Sequence, residues 1–409
     1  MVACGAGEVV DATLSISTVA TFDFRSIAGM SKLVAGWCVG YFHSPRGQYW
    51  SWIQTREIET AMANKQSVSG PYGWVVNRGP DGGVQSGVGP LPGSHPEEFV
   101  CIDVEAAGFN YKDALACDAH PGVARTLPLV PGIDVAGRLR SSCEAFAAGT
   151  PVVATGNGLG ESLQGGFASE VWVPPAAIIQ RPEGLSATAA MAMGTAGLTA
   201  ILTVERLRSA IDWDFQSRLH HSDPLPWLVT GASGGVGMLA VAATALAGFQ
   251  VIACTRKQFL TDTLMSLGAA AVRSPQEAFP TDKKPLSSAR YLAAIDTVGG
   301  ELLADILRVI APGGAVGSIG NAGGFDLPTT VYPFILRGIT LAGIDAAGLP
   351  SREKRRELWA KLAVLWPLVS GSFPVREICL EEVGDWAVEM RAGRINGRAV
   401  VLPEKQVAG

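Results

Sequence analysis

The chain has 409 residues, of which 48% are hydrophobic and 17% are charged, and its formal net charge is −5. This length and composition suit a globular protein of two domains and exclude a disordered or fibrous chain. The small net charge, without a long basic run, gives no electrostatic footprint for nucleic acid, so the expected partner is a small molecule.

Residues 1–69 form a predicted N-terminal extension of unknown role, because they show no convincing strand–turn pattern. Their one apolar stretch, residues 33–41, follows acidic residues, which does not fit a secretory signal. We expect a cytoplasmic protein, with organelle targeting by this extension left open. The seven cysteines contain no Cys-x-x-Cys pair, which agrees with a reducing compartment.

Residues 70–190 contain short β-rich runs separated by Gly and Pro, which predict a small barrel-like β domain. These runs are residues 73–77, 98–104, 149–154 and 168–173. The uncharged stretch 184–204 has membrane-spanning length, but its Gly, Ala and Thr content predicts a buried helix. No membrane association is therefore expected.

Residues 191–345 alternate strands with helices, which predicts βαβ units and a doubly wound parallel sheet of the Rossmann type. Residues 346–409 begin with a capped helix near Ser351 and end with a strand at 398–402. We expect this last segment to rejoin the first domain. We interpret its four cations between residues 352 and 356 as a solvated helix face, with contact to substrate phosphates as the alternative.

The most informative motif is the turn Gly231-Ala-Ser-Gly-Gly-Val-Gly237, which lies between a short apolar strand and an Ala-rich helix. Glycines let the backbone approach a pyrophosphate, and the helix N-terminus attracts an anion. Because residue 233 is Ser, the strict G-x-G-x-x-G spacing is not met. The context still predicts a dinucleotide site, the alternative being a turn that only packs a helix on a sheet.

The next strand, residues 249–254, runs into Thr255-Arg256-Lys257, where an NAD site would carry an acidic residue. A hydroxyl and two cations would instead bind a 2′-phosphate, so the sequence predicts NADPH. Arg273, after the following strand, is a further candidate for the same phosphate, and a solvated Arg-Lys pair is the alternative. Asn321 follows a later strand and should line the nicotinamide side, unless it is an ordinary turn residue.

No metal site is predicted. A catalytic zinc needs Cys, His and carboxylate ligands with one open position, and none of the five histidines lies at ligand spacing from a cysteine. The pair His220-His221 lies in a polar loop. A serine nucleophile is also unsupported, since there is no Gly-x-Ser-x-Gly elbow with a downstream His.

Several blocks between residues 72 and 402 resemble one family. They are Asn110-Tyr-Lys-Asp-Ala-Leu-Ala116, Pro131-Gly-Ile-Asp-Val-Ala-Gly137, Gly194-Thr-Ala-Gly197, Thr230 to Gly237, Ile295-Asp-Thr-Val-Gly-Gly300, Leu327-Pro-Thr-Thr-Val331 and Pro333-Phe-Ile-Leu-Arg337. They are similar to the zinc-free medium-chain dehydrogenase/reductase family related to quinone oxidoreductase, in its acrylyl-CoA reductase branch. Zinc-dependent relatives carry His-Glu where this chain has Ile133-Asp134.

The resemblance implies an α/β protein with a GroES-like, barrel-like catalytic domain, a Rossmann domain inserted in it, and an active site in the cleft between them. Members reduce the carbon–carbon double bond of a short 2-enoyl-CoA with NADPH, and a homodimer is usual. The implied NADPH contacts are Tyr111, Ser233, Gly234, Gly235, Val236, Thr255, Arg256, Lys257, Asn321 and Ile335. The loop 209–224 is longer than usual, and residues 1–69 have no counterpart.

The expected function is reduction of acrylyl-CoA to propanoyl-CoA by hydride transfer to the β-carbon and protonation at the α-carbon. Tyr111 is the candidate for two roles, holding the nicotinamide or donating the proton, with water as the rival donor. A quinone or enone oxidoreductase of the same fold is the first alternative function. A crystallin-like protein that binds NADPH without turnover is the second.

Overall fold

The computed structural model describes residues 42–43, 49–50, 70–218, 225–282, 284–349 and 351–404. The chain divides into two compact units, Met1–Ser67 and Val68–Gly409. In the first unit, β1 (Phe42–His43) pairs with β2 (Tyr49–Trp50) in antiparallel fashion. The remainder of the predicted extension, and the pair His220-His221, lie outside the described residues.

The second unit opens with strands that confirm the predicted β-rich runs. They are β3 (Tyr72–Arg78), β4 (Val84–Pro90), β5 (Val100–Phe109), β6 (Asp134–Leu139), β7 (Pro151–Thr155), β8 (Glu170–Val173) and β9 (Ile178–Gln180). β3 and β4 form a hairpin, and β5 pairs with both β6 and β8. The faces of β5 and β6 that turn inward carry small and branched apolar residues, which build a core between the strands.

A short helix, α1 (Tyr111–Ala116), follows β5 and is fixed by one buried carboxylate. The oxygens of Asp113 accept the backbone N–H groups of Asn110 (2.7 Å), Gly132 (3.0 Å) and Ile133 (2.9 Å). Burial raises the pKa of Asp113 to about 7, against the hydrogen bonds that lower it. This side chain therefore joins the start of α1 to the loop before β6.

We expect Asp113→Ala to lower the free energy of unfolding by about 3 kcal/mol at pH 8, because it leaves several buried N–H donors without acceptors. Denaturant unfolding measures the change. Asp103→Ala is the matched control, since Asp103 pairs with Arg140 at the surface and such pairs contribute less than about 1 kcal/mol. Equal losses for the two variants would contradict the role given to Asp113.

The predicted buried helix is confirmed as α2 (Ala187–Ala210), capped by the Ser186 side chain. It is long and apolar enough to cross a membrane, but 83% of its most apolar 18-residue window is buried inside the protein. The helix is interrupted at Gly194, where φ is +44°. It packs on strands of both sheets: Met191, before the break, lies against Gly108 of β5, and Thr203, after it, lies against Gly317 in the second sheet.

The second sheet is parallel throughout and confirms the Rossmann prediction. After α3 (Trp213–Arg218) come β10 (Trp227–Thr230), β11 (Val251–Cys254), β12 (Ala271–Arg273), β13 (Tyr291–Asp296), β14 (Ile310–Ser318) and β15 (Thr340–Gly343). Their order is β12-β11-β10-β13-β14-β15. The order reverses between β10 and β13, and in such sheets ligands bind at the carboxyl ends beside this point.

Helices cover both faces of the parallel sheet. They are α4 (Gly235–Leu246), α5 (Thr261–Ser266), α6 (Pro275–Ala278), α7 (Gly300–Leu307) and α8 (Tyr332–Arg337). Strands β10, β11 and β13 are buried along their whole length, as a sheet with two covered faces requires. The core of this part is thus made of Val, Ile, Leu and Ala from the strands against α2, α4 and α7.

The C-terminal segment returns to the first sheet. It consists of α9 (Arg352–Val369), β16 (Val375–Ile378), α10 (Val383–Arg391) and β17 (Arg398–Val401). β17 pairs with β5, which completes a seven-stranded sheet of order β16-β17-β5-β6-β7-β9 with β8 beside β5. The predicted cap Ser351 is confirmed, because its side chain accepts the N–H of Lys354. The domain boundaries at residues 69, 190 and 345 stay predictions.

The interpretation of residues 352–356 as a solvated helix face was wrong for Arg352 and Arg355, whereas Arg356 is exposed as expected. Arg355 is 2% exposed and donates to the carbonyl oxygens of Leu349 and Ala176. Arg352 donates to the carbonyl of Ile178. These cations bind backbone carbonyls around β9, so they attach α9 to the first sheet.

Candidate cofactor and active site

The glycine turn lies at the carboxyl end of β10, beside the point where the strand order reverses. Gly231 has φ +57°, and a Cβ there would lie 2.1 Å from Oγ1 of Thr297, which follows β13. A Cβ on Gly237 would lie 2.3 Å from the carbonyl oxygen of Gly231. These two glycines are thus required by the close packing of the turn against the protein itself.

Gly234 differs from its neighbours in the turn. A Cβ on it would meet only the Gly231 carbonyl oxygen, at an ordinary 3.4 Å, so its outer side is open. It is the N-cap of α4 and supplies no capping side chain. The N–H groups of Gly235, Val236 and Gly237 are those that a helix leaves without intrahelical acceptors. An open, uncapped helix N-terminus fits a phosphate anion.

The turn is tied to the end of β11 by hydroxyl groups. The Thr255 hydroxyl donates to Ser233 Oγ at 3.0 Å and accepts the N–H of Lys257 at 3.0 Å. Both hydroxyl side chains are buried. The structure therefore brings Ser233 and Thr255 together, and it uses their hydroxyls to set the distance between the turn and the cations that follow.

Three cations gather at the carboxyl ends of β11 and β12. Thr255 donates its N–H to the carbonyl of Arg273, so the two strand ends are adjacent. The side chains of Arg256 and Arg273 are exposed, and within the described residues neither forms an ion pair. Burial, with the neighbouring charge of Arg256, lowers the pKa of Lys257. Exposed cations suit a phosphate group, which they can bind through charge-assisted hydrogen bonds.

Lys257 also reaches a segment that the sequence reasoning did not include. Its Nζ donates to the carbonyl of Ile395 at 2.8 Å and to Oδ1 of Asn396 at 2.7 Å. Gly397 donates its N–H to the carbonyl of Ser233 at 3.3 Å. The loop before β17 therefore lies against the candidate site. No local motif in the sequence predicts this contact.

Tyr111 is the first residue of α1 and is 39% exposed. Its neighbour Asn110 accepts a hydrogen bond from Arg398 (2.8 Å), and the stem of Arg398 lies where a Cβ on Gly235 would be. The structure thus brings the start of α1 and the glycine turn against one side chain. Arg398 was also missed, although a cation at the head of an apolar strand is a signal for a buried ion pair.

The two remaining predicted residues lie differently. Asn321 is exposed after the end of β14, and its Cα lies 3.1 Å from the position of a Cβ on Gly299, beyond the end of β13. Asn321 therefore lies at the carboxyl ends of the strands, as the glycine turn does. Ile335, on α8, is 67% exposed. Arg337, at the end of α8, donates to the carbonyl of Ile310 at the amino end of β14. The contact of Ile335 with the dinucleotide stays a prediction.

Among the described residues, no group of three or more His, Cys, Asp or Glu side chains could hold a metal ion. Position 133 is a buried isoleucine, and the carboxylate of Asp134 is occupied by donors from Thr195 and Asn110. The donor set that a catalytic zinc requires is therefore not assembled in this part of the chain.

Two family models match the chain. The model described as alcohol dehydrogenase GroES-like domain matches residues 96–183, and the one described as zinc-binding dehydrogenase matches residues 235–363. The first match falls on the antiparallel sheet and the second begins at the start of α4. The GroES-like and Rossmann parts expected from the sequence are confirmed.

Two relatives match along nearly their whole length. A protein of Escherichia coli named "Probable acrylyl-CoA reductase AcuI" is 40% identical over 75% of this chain and 91% of its own. The acrylyl-CoA reductase AcuI of Ruegeria pomeroyi is 38% identical over 75% and 90%. The chain belongs to the zinc-free medium-chain dehydrogenase/reductase family, in the acrylyl-CoA reductase branch. This medium-chain reductase is an oxidoreductase.

Solved structures agree with the fold of this medium-chain reductase. The yhdH oxidoreductase of Salmonella enterica, in complex with NADP, is 36% identical with a TM-score of 0.72, over 81% of this chain and 100% of its own. The Bacillus subtilis protein yhfP, with NAD bound, is 35% identical with a TM-score of 0.73, over 82% and 100%. Two relatives of similar identity thus carry different dinucleotides.

Proposed function

We propose that this protein uses NADPH to reduce the carbon–carbon double bond of a short 2-enoyl-CoA, acrylyl-CoA being the favoured substrate. The observation that carries the proposal is the open N-terminus of α4 beside the exposed Arg256 at the end of β11. The first suits a pyrophosphate and the second a 2′-phosphate. The two acrylyl-CoA reductase relatives support the choice of substrate class.

The residues of the chain have separate tasks in this proposal. When bound, NADPH supplies the hydride that adds to the β-carbon of the enoyl thioester. The turn at Gly234 to Val236 holds the pyrophosphate, and Arg256, Lys257 and Arg273 hold the 2′-phosphate. Tyr111, 39% exposed at the start of α1, either holds the nicotinamide or donates the proton that the α-carbon takes up.

Tyr111→Phe separates these two roles. A hydroxyl that only binds the nicotinamide contributes about 1 kcal/mol, so its loss should weaken NADPH binding about fivefold with little change in kcat. Loss of a general acid should lower kcat about 10²–10⁴-fold at unchanged NADPH affinity. Fluorescence titration and saturation kinetics measure both constants. Unchanged values for both would remove Tyr111 from the mechanism.

The substrate is tested by mixing the purified protein with NADPH and a panel of acrylyl-CoA, longer 2-enoyl-CoAs and a benzoquinone. Loss of absorbance at the nicotinamide band gives the rates, and NADH is the control. We expect the highest kcat/KM with acrylyl-CoA and formation of propanoyl-CoA. Preference for the quinone would replace the proposal with a quinone reductase, and binding of NADPH without turnover of any compound would leave a dinucleotide-binding protein.

The lowered pKa of Lys257 predicts a pH dependence of cofactor binding. Because its pKa lies below that of an ordinary lysine, Lys257 loses its charge earlier as the pH rises. The 2′-phosphate stays fully ionised above its pKa of about 6. We therefore expect NADPH affinity to begin to fall at a lower pH than the ordinary lysine pKa would allow, while NADH affinity stays level. Lys257→Arg should flatten the NADPH curve, and an identical fall in that variant would exclude Lys257 as the titrating group.

A further inference from the structure

The break in α2 is occupied by a buried ion pair that the proposed chemistry does not use. The carboxylate of Asp134, from β6, accepts the N–H of Thr195 at 2.8 Å and the Thr195 hydroxyl. A Cβ on Gly194 would lie 2.3 Å from Asp134 Oδ2. The carboxylate therefore takes the place of a helix cap and lies at the N-terminus of the second half of α2, where a negative charge is favourable.

The partner cation lies at the other side of the same break. The guanidinium of Arg398, from β17, donates to the carbonyls of Ala192 (3.1 Å) and Met191 (3.4 Å), at the C-terminus of the first half of α2. Its Nη2 lies 3.8 Å from Asp134 Oδ2, and the two side chains are 4% and 0% exposed. Each charge thus faces the end of a half-helix that favours its sign.

The same guanidinium reaches the residue before Tyr111. Arg398 Nη1 donates to the carbonyl of Phe109 at 2.7 Å and to Oδ1 of Asn110 at 2.8 Å. Asn110 in turn donates through Nδ2 to Asp134 Oδ2 at 2.8 Å. Asn110 is the N-cap of α1, so both members of the ion pair hold the backbone from which Tyr111 projects.

The aliphatic stem of Arg398 lies against the glycine turn. A Cβ on Gly235 would lie 2.3 Å from Arg398 Cδ, so the Arg398 stem is in direct contact with the backbone of Gly235. The preceding residue, Gly397, is bridged to Gly234. One side chain therefore contacts the start of α1 with its head and the start of α4 with its stem.

We propose that Arg398, with Asp134 as its counter-ion, is a positioning residue that sets the distance between Tyr111 and the dinucleotide turn. This inference rests on the proposed function, in which the turn holds the pyrophosphate and Tyr111 acts at the nicotinamide of the same dinucleotide. Arg398 acts through Asn110 and Gly235 and contacts no reacting atom. Lysine cannot replace it, because an ammonium group cannot reach the carbonyls of α2 and Asn110 in one geometry.

The test uses Arg398→Lys, Arg398→Met and the double variant Asp134→Asn/Arg398→Met. Removing one member leaves a buried charge, so Arg398→Met should lower Tm by roughly 10 °C. The double variant removes both charges and should regain most of this loss. The kcat of the double variant with acrylyl-CoA should stay about 10²-fold below that of the unmodified protein, because a misplacement of Tyr111 near 1 Å is enough for such a loss. Its KM and its Kd for NADPH should change less than about threefold. Arg398→Lys should share the kcat defect.

Arg355→Met is the matched control, because Arg355 is also a buried arginine that binds backbone carbonyls, away from the candidate site. It should lower Tm and leave kcat per folded molecule unchanged. Recovery of kcat together with Tm in the double variant would overturn the inference, because Arg398 would then serve folding alone. A fall in kcat matched by an equal rise in the Kd of NADPH would also overturn it.

A second readout separates this inference from the proposed function. If the unmodified protein turns over no substrate, the proposed function fails, and the fluorescence enhancement of bound NADPH then reports nicotinamide placement. We expect the double variant at saturating NADPH to show less than half of the enhancement. An undiminished enhancement would overturn the positioning role whether or not the protein reduces an enoyl-CoA.

Discussion

Replacing Arg256 and Lys257 together by alanine is expected to weaken NADPH binding by about 10²–10⁴-fold while NADH binding changes less than about twofold. Each charge-assisted hydrogen bond to a phosphate contributes about 1.5–3 kcal/mol, and the contribution is lost only for the dinucleotide that carries the 2′-phosphate. Because no acidic residue occupies the end of β11, nothing in the variant favours the ribose hydroxyls of NADH instead.

The single variants Arg256→Ala and Lys257→Ala show how much each side chain contributes to NADPH binding. Arg256 is exposed and forms no ion pair within the described residues, so Arg256→Ala should lose about 10–100-fold in NADPH affinity without loss of stability. Lys257→Ala also removes two hydrogen bonds to the loop before β17, and it should lower Tm slightly as well. Arg206→Ala, at an exposed position of α2, is the control for a simple change of net charge.

Fluorescence titration with both dinucleotides at two salt concentrations measures these effects. The difference between NADPH and NADH should shrink at high salt for the unmodified protein, because exposed charges are screened. A double variant that binds NADPH as tightly as before would show that the 2′-phosphate lies elsewhere, and a native preference for NADH would contradict the cofactor assignment itself.

The second prediction concerns two glycines of one turn whose substitutions should have opposite consequences. Gly237→Ala places a methyl group 2.3 Å from a backbone carbonyl, which cannot move without distorting the turn. We expect a loss of about 3 kcal/mol in the free energy of unfolding and weak NADPH binding as a result. Denaturant unfolding without cofactor measures the first effect.

Gly234→Ala is the matched partner, since its backbone angles of φ −83° and ψ 165° suit alanine and its outer side is open. Its stability should change by less than about 0.5 kcal/mol. If the pyrophosphate lies on this residue, the added methyl group should weaken NADPH and NADH binding equally, by about 10–100-fold. Unimpaired binding of both would show that the phosphates do not lie over Gly234.

The sequence predicted those parts of the molecule that depend on local pattern. Strand, glycine turn and helix follow each other within 21 residues, and the cations after β11 lie at a fixed offset from that turn, so neither needs knowledge of the rest of the chain. The buried helix was predictable for the same reason, from a long uncharged stretch rich in small residues.

What the sequence did not predict depends on contacts between distant segments. Arg398 lies more than 160 residues from Gly235, and only the pairing of β17 with β5 brings it below the turn. The sequence around Arg355 does not distinguish a solvated arginine from one that binds carbonyl groups. Arg355 is buried because it donates to the carbonyl of Ala176, which lies in a distant segment of the chain. The periodicity of the sequence does not predict such contacts between distant segments.

The break in α2 also has a mechanical consequence. α2 packs on strands of both the antiparallel and the parallel sheet, so it links the two sheets. The backbone at Gly194 already lacks helical geometry, so rotation there interrupts no further turn of helix. If the two sheets rotate relative to each other, we expect the hinge to lie at Gly194, where the buried Asp134–Arg398 contact would have to change.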